Sequence, residues 1–315
     1  MDNDLNRLSA ASRDLHREFL LAIEPFRPAL WRFCYRLTGS PWDAEDLVQD
    51  TLVRAFGRLA QAWQPLHPRS YLFRIAANAW IDARPRTHAS TVDAELDLEP
   101  VPGPDLEDTV EALDYLATTL PPRQAVVVLL ADVFDFRLDE IAAMLALSPT
   151  AVKGTLQRAR AALRARKDEQ PPRLAAVRTA PPDDFAARYI AAFDARDPDG
   201  IAALLHEDVT VEMFGVVGDL FGREFTRADA LRQWADDPRP QWAEAGSFAG
   251  KPAFFVFTRS EGGSELLHRI SRFEVDGGLA RRTWEYYMTP ELLTAAAEAL
   301  GIAPDLHGYM FDELE

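Results

Sequence analysis

Five cations, Lys153, Arg158, Arg160, Arg164 and Arg166, fall within SPTAVKGTLQRARAALRAR, a stretch that contains no acid. Positive charge along one helix is the chemistry that holds phosphates. The preceding residues sharpen the reading. The spacing predicts a helix from Asp139 to Leu145, a tight turn through Ala146 and Leu147, and a second helix entered at Ser148. Ser148 is a good N-cap and Pro149 suits the first helical position. Ile141, Ala142 and Leu145 would face Val152, Leu156 and Ala159 across a small shared core. Ser148, Thr150, Lys153, Gly154, Gln157, Arg158 and Arg160 then form an outer surface of the kind that reads a major groove. The competing reading is a solvated helix pair that touches no DNA. The cap, the spacing and the one-sided basicity together weigh against it.

Two further sets of residues could bind macromolecules. In DAEDLVQDTLVRAF, Asp43, Glu45, Asp46, Gln49 and Asp50 gather acidic and polar groups, with Leu47, Val48, Leu52 and Phe56 available for packing. An acid-rich helix seeks a basic protein surface rather than DNA. In RSYLFRIAANAWIDARPR, Arg69, Arg74, Arg84 and Arg86 supply charge, Tyr71, Phe73 and Trp80 supply rings, and Asn78 adds an amide. Rings on which bases stack, beside cations that follow a backbone, suit single-stranded DNA. The plain alternative is that the rings are core, which is the expectation for Phe73 and at least one other.

The C-terminal third holds candidate acids and bases by type: His206, Glu212, Asp219, His268 and Glu285. Alternation along one strand would place Arg282, Trp284, Tyr286 and Met288 on one face, lining a pocket with His268, while Glu285 points away. No pair has a spacing that compels a mechanism. No catalytic residue, metal ligand or cofactor is expected.

The elements that must position these groups follow from composition. The chain has 315 residues, enough for two or three cores, with 48% hydrophobic and 27% charged residues. Its net charge of −16 is unevenly spread. Residues 1–86 carry twelve bases against ten acids, and 148–173 seven against two. Residues 87–122 hold nine acids and no base, and 174–315 hold 25 acids against 13 bases. The acidity therefore lies outside the two candidate DNA-binding stretches. Cys34 is the sole cysteine, no run of eighteen apolar residues occurs, and the first 24 residues mix acids and bases unlike an export signal. A reducing cytoplasm and no membrane contact are expected.

Helical spacing over 13–86 and 110–168 brackets an acidic tether at 87–109, which has three prolines, one glycine and no aromatic residue. A Pro-rich linker at 169–182 leads to a third domain at 183–315. There, two helices (183–195 and 198–205) precede alternating runs such as VTVEMF, AFFVFTR, ELLHRISRFEV and ARRTWEYYM, and a helix at 290–300 closes at Gly301.

Leu120–Arg164 resembles region 4 of extracytoplasmic-function sigma factors, and Phe26–Phe56 with Arg69–Arg86 resembles region 2 of the same family. The resemblance implies that the Ser148 helix reads the −35 promoter element. It further implies that the Asp43–Asp50 face docks on the β′ clamp of core RNA polymerase, and that the Arg69–Arg86 helix opens and reads the −10 element. It implies too that the tether runs through the polymerase cleft and RNA exit channel. Three departures stand out: Gly154 replaces a frequent serine, Ala77 and Ala79 stand where arginine is common, and Pro85 interrupts the last turn. The third domain resembles the SnoaL-like, nuclear-transport-factor-like cone. The expected architecture is therefore multidomain: two all-α sigma domains and an α+β cone with a curved mixed sheet.

These readings converge on a cytoplasmic transcription initiation factor, not an enzyme. Its partners would be core polymerase, double- and single-stranded promoter DNA, and a small-molecule ligand in the C-terminal domain. That domain would regulate the other two. Two readings compete with this one: a cyclase or isomerase fused to a DNA-binding module, and a plain helix-turn-helix repressor.

Overall fold

A computed structural model describes residues 2–59, 67–83, 120–165, 174–179, 184–215 and 220–306. These form two compact units, divided between Pro172 and Arg173. Arg84, Arg86, Asp219 and the acidic tether lie outside the described residues.

The first unit is helical. Helices α1 (Asp2–Ile23), α2 (Arg27–Thr38), α3 (Pro41–Leu59) and α4 (Pro68–Ala83) precede α5 (Pro122–Asp132), α6 (Leu138–Leu145) and α7 (Pro149–Arg164). The first helix starts well before the residue 13 anticipated from spacing. The α2–α3 corner shows why the chain turns where it does. Gly39 takes a left-handed φ of +69° at the end of α2, a conformation glycine adopts without steric cost, and its N–H bonds to the Tyr35 carbonyl. The core of α2, α3 and α4 buries Leu30, Phe33, Cys34, Leu37, Trp42, Val48, Leu72 and Phe73. The Cys34 thiol is held well above its usual range, first by burial and then by the nearby Glu45.

In the helix pair α6–α7, the N–H of Ala151 bonds to Ser148 Oγ at 3.1 Å, so Ser148 caps α7 as its type predicts. Ala146 ends α6 at φ +53°, an uncommon conformation for a residue with a Cβ. Ile141, Ala142, Leu145, Val152, Leu156 and Ala159 are all buried.

The second unit is a curved mixed sheet clasped by helices. Strands β1 (Ala176–Arg178), β2 (Leu205–Phe214), β3 (Leu220–Phe221), β4 (Trp242–Phe248), β5 (Lys251–Arg259), β6 (Glu265–Asp276) and β7 (Leu279–Tyr286) pair in the order β1-β4-β5-β6-β7-β2-β3. The β2–β7 pair is parallel, and β8 (Ala303–Pro304) joins β6, also in parallel. Helices α8 (Asp184–Asp194), α9 (Pro198–Ala202), α10 (Arg223–Asp236) and α11 (Pro290–Leu300) complete it.

Six consecutive residues of β5, Ala253–Thr258, are buried. Such a run requires cover on both faces of the sheet. Phe254 and Val256 join Phe185, Tyr189 and Phe193 of α8 in one core. Helix α11 buries Leu292, Leu293, Ala296 and Ala297, packing along β6 and β1.

Two elements depart from the expectations. Strand β1 lies inside the supposed 169–182 linker. It pairs Val177 with Ser247 beside Gly246, where an added Cβ would sit 2.1 Å from the Val177 carbonyl oxygen. Helix α10 has no forewarning in the sequence, because REFTRADALRQWAD is polar and leaves Phe225 and Leu231 largely exposed.

Candidate functional site

Helix α3 presents Asp43 and Asp46 to solvent, with Gln49 and Asp50 half-buried. Val53 continues this stripe at 67% exposure. Residues at these steps fall on neighbouring turns of one helix face, so an apolar contact sits among acids. Sequence reasoning missed Val53; its signal was an aliphatic residue on an otherwise polar stripe. Glu45 does not belong there and is a correction. It is fully buried, accepting from Arg27 Nη2 at 2.6 Å and from Gln49 Nε2 at 3.0 Å. A buried carboxylate needs a partner, and the arginine is spaced to supply it.

On α4, Arg74 is exposed and Asn78 half-buried. Tyr71 and Trp80 are buried, so neither ring is a free stacking platform, and Tyr71 donates its hydroxyl to the Ala55 carbonyl at 2.8 Å. Ala77 and Ala79 are buried too. An arginine at either position would point into the core. Arg69 donates to the carbonyl of Phe134, and its guanidinium lies 4.3 Å from the centroid of the Phe136 ring. Asn78 Nδ2 donates to the Arg74 carbonyl at 2.8 Å and reaches the Met144 carbonyl at 3.3 Å.

On α7, Thr150, Lys153 and Arg158 are exposed, and Gly154 and Gln157 are half-buried beside them. Ser148 is exposed and serves as the cap. Arg160 is a second correction. Its Nε and Nη2 grip both oxygens of Asp132 on α5, at 3.0 and 2.6 Å. That hydrogen bond raises the arginine's pKa further. A guanidinium engaged in a two-point fork is committed to positioning α7, leaving Lys153 and Arg158 as exposed cations in its first three turns.

In the second unit, a cavity of about 60 Å³ opens between α8, α10 and the sheet. Phe193, Leu205, Val211, Met213, Trp234 and Phe273 form its apolar walls, with Asp229, Gln233, Arg269, Thr283 and Glu285 also lining it. None of His268, Arg282, Trp284 or Tyr286 lines it. The expected alternation holds, but the cavity faces the opposite side of β7. Ser271 and Phe273 pair with Glu285 and Thr283 across β6–β7, on the face that α8 and α10 roof. Tyr286 is stacked on Phe214 at 4.5 Å, and Arg282 pairs with Glu212 at 3.1 Å. His268 is the extra residue where the β5–β6 register shifts, and it bonds Asp305 at 2.8 Å.

The cavity's carboxylates are each paired. Glu285 accepts from Ser271 at 2.6 Å and lies 3.4 Å from Arg269, while Asp229 accepts from Gln233 at 2.7 Å and from Arg232. Burial raises the Glu285 pKa, and Arg269 opposes the shift only in part. Thr283 Oγ1 is buried with no hydrogen-bond partner. Among the described residues, no cluster of metal-ligating side chains occurs, and no helix is long and apolar enough to cross a membrane.

These features define one helical unit that carries an acidic face on α3 and a basic, Ser148-capped helix α7. Comparison with known proteins agrees. Residues 22–89 match Sigma-70 region 2, and residues 111–163 match Sigma-70 region 4. The ECF RNA polymerase sigma factor SigG of Mycobacterium tuberculosis is 34% identical over 232 residues, which cover 62% of this chain and 61% of that protein. The RNA polymerase sigma-E factor of Streptomyces avermitilis is 33% identical over 156 residues, 47% of this chain and 83% of its own length. The crystal structure of the M. tuberculosis extracytoplasmic function sigma factor SigJ aligns over 87% of this chain and 98% of that one, at 22% identity and a TM-score of 0.32. The chain belongs to the extracytoplasmic-function sigma factors of the sigma-70 family, and its C-terminal unit is an α+β domain with a curved mixed sheet. It spans about three fifths of the length of the SigG relatives.

Proposed function

We propose that this chain is a cytoplasmic sigma factor that directs core RNA polymerase to specific promoters. The observation that carries this reading is the joining, in one helical unit, of the acidic α3 face to the Ser148-capped helix α7. Asp43, Asp46, Gln49 and Asp50 dock on the β′ clamp, with Val53 as the apolar contact. Thr150, Lys153, Gly154, Gln157 and Arg158 read the −35 element. Arg69, Arg74 and Asn78, with Arg84 and Arg86 beyond the described end of α4, serve the −10 element. Two family matches in the order region 2, region 4 support the assignment.

Co-purification with core polymerase is the decisive experiment. A stoichiometric complex that is weakened by Asp46→Lys is expected. Protein that leaves polymerase unbound but still shifts duplex DNA would instead be a repressor.

The C-terminal unit is regulatory on this reading. A ligand in its cavity would be small, because about 60 Å³ is well below the roughly 150 Å³ that accommodates benzene. Thr283 Oγ1 offers it a hydrogen bond. Glu285, the one acid with a raised pKa there, is held by Ser271 and Arg269 rather than poised over open space, which favours binding over catalysis. Truncation after residue 175 should change transcription from a cognate promoter; unaltered output would remove the regulatory role.

A further inference from the structure

Thr283 stands in the wall of the C-terminal cavity with its hydroxyl buried and unpartnered. We propose that this cavity binds a small neutral aliphatic molecule carrying a single oxygen, an alcohol or a ketone. Its oxygen bonds Thr283 Oγ1 and its carbon body fills the apolar side. The inference rests on the reading of this unit as a ligand-binding regulatory domain.

The hydroxyl sets the polarity of the ligand. Thr283 is 3% exposed, and a buried hydroxyl left unpaired carries a desolvation cost that a partner removes. Water fits the place poorly, because a buried water makes about three hydrogen bonds. The residues in register with Thr283 on the two neighbouring strands are Val211 and Phe273, both in the apolar wall. A water on Thr283 would therefore meet carbon on either side. An oxygen joined to methyl groups makes the one hydrogen bond on offer and turns the remaining surroundings into apolar contact.

The charges of the cavity set the neutrality of the ligand. Glu285 accepts from Ser271 and faces Arg269, Arg269 Nη1 donates to Gln233 Oε1 at 2.9 Å, and Gln233 donates to Asp229. Arg269 Nε has no hydrogen-bond partner, but it lies 3.4 Å from Glu285, so its charge is already matched. An ion entering this chain of groups would break one of its links or stay unpaired in a buried place, and both are costly. A neutral molecule leaves the chain intact.

Volume sets the size. If benzene needs roughly 150 Å³, about 60 Å³ holds about two to four heavy atoms, and the flexible Met213 side chain in the wall can yield a little more. Acetone and 2-propanol match this size. So few atoms limit the affinity, which should be no tighter than roughly tens of micromolar.

Methyl-labelled methionine NMR on the full chain tests the site. Of the five methionines, Met213 lines the cavity, while Met144 is buried in α6 of the other unit and serves as the reference. Acetone and 2-propanol are expected to shift the Met213 signal saturably, half-way at roughly 0.1–10 mM, and to leave Met144 unmoved. Acetate and tetramethylammonium should move neither. Thr283→Val keeps the shape and removes the hydroxyl, so it should weaken binding at least tenfold. Ala230→Val, at another lining residue, should fill the space and abolish binding. A Met213 signal that stays still with both compounds, that moves equally with acetate, or that responds as strongly in Thr283→Val overturns the proposal. Transcription from a cognate promoter separates this from the regulatory reading. Output unchanged by saturating acetone, beside a saturable Met213 shift lost in Thr283→Val, upholds the site and removes regulation through it.

Discussion

Arg27 and Glu45 are almost fully buried, and each is held by the other across 18 residues of sequence. Removing one partner strands a charge, so Glu45→Ala should cost about 3–5 kcal/mol in denaturant unfolding of the helical unit. Replacing both with apolar residues of similar volume should recover most of that loss. Asp46→Ala, one position on and exposed, should leave stability unchanged and weaken only polymerase binding. Arg160 makes the same distinction on α7. Arg160→Ala and Asp132→Ala should each cost about 1.5–3 kcal/mol, and in a double-mutant cycle the second substitution should add little to the first. Lys153→Ala and Arg158→Ala should be silent in unfolding, but each should lower the salt slope of duplex binding by about one. Composition and spacing placed Glu45 and Asp46 on one helix and Lys153, Arg158 and Arg160 on another, but singled out neither Arg27 nor Asp132. Sequence could not tell which would turn inward, because that depends on a neighbour contributed by another helix.

At the scale of elements, β1 is a three-residue edge strand that depends on the missing side chain of Gly246. Gly246→Ala would push a methyl into the Val177 carbonyl and the Phe255 ring. A loss of about 1–3 kcal/mol is expected, with faster amide exchange across the β1–β4 pairing that begins at Ala176 and Phe248. The β8 end of the sheet is held electrostatically instead. Arg239 bridges Asp237 and Asp305, and Asp305 also bonds His268. Burial alone would raise the Asp237 pKa, but its hydrogen bonds from Arg239 outweigh that and leave it below the ordinary 3.8. A carboxyl whose pKa falls on folding stabilises the protein above its unfolded value and loses that contribution as pH drops through the folded one. Asp237→Asn should therefore be destabilised at neutral pH, and its deficit should close as pH falls below about 4. A deficit constant across that range would mean the loss is one of shape rather than charge.

For the whole molecule, the charge distribution sets the expectation. Residues 174–315 carry twelve more acids than bases, whereas 148–173 carry five more bases than acids. If the acidic unit weakens promoter binding through its field, full-length and truncated chains should differ most at low ionic strength. The difference should shrink as salt shortens the screening length to about 8 Å near physiological strength and further beyond it. A gap that ignores salt would point to a steric or ligand-borne effect.

The sequence alone determined the capped helix pair with Ser148 at its hinge, the acidic α3 stretch and the α-then-β texture of the last third. Each of these rests on local signals, namely caps, periodicity and charge runs, that act within a few residues. Tertiary structure alone decided that Glu45 and Arg160 are structural ions and that Tyr71 and Trp80 are core. It decided that Thr283 and Glu285, not Trp284 and Tyr286, face the cavity. It also decided that Arg69 and Asn78 bond to the opposite module. A period of two says which side chains share a face of a strand, and a period of 3.6 says the same of a helix. Neither says what covers that face, because the covering helix or loop comes from elsewhere in the chain.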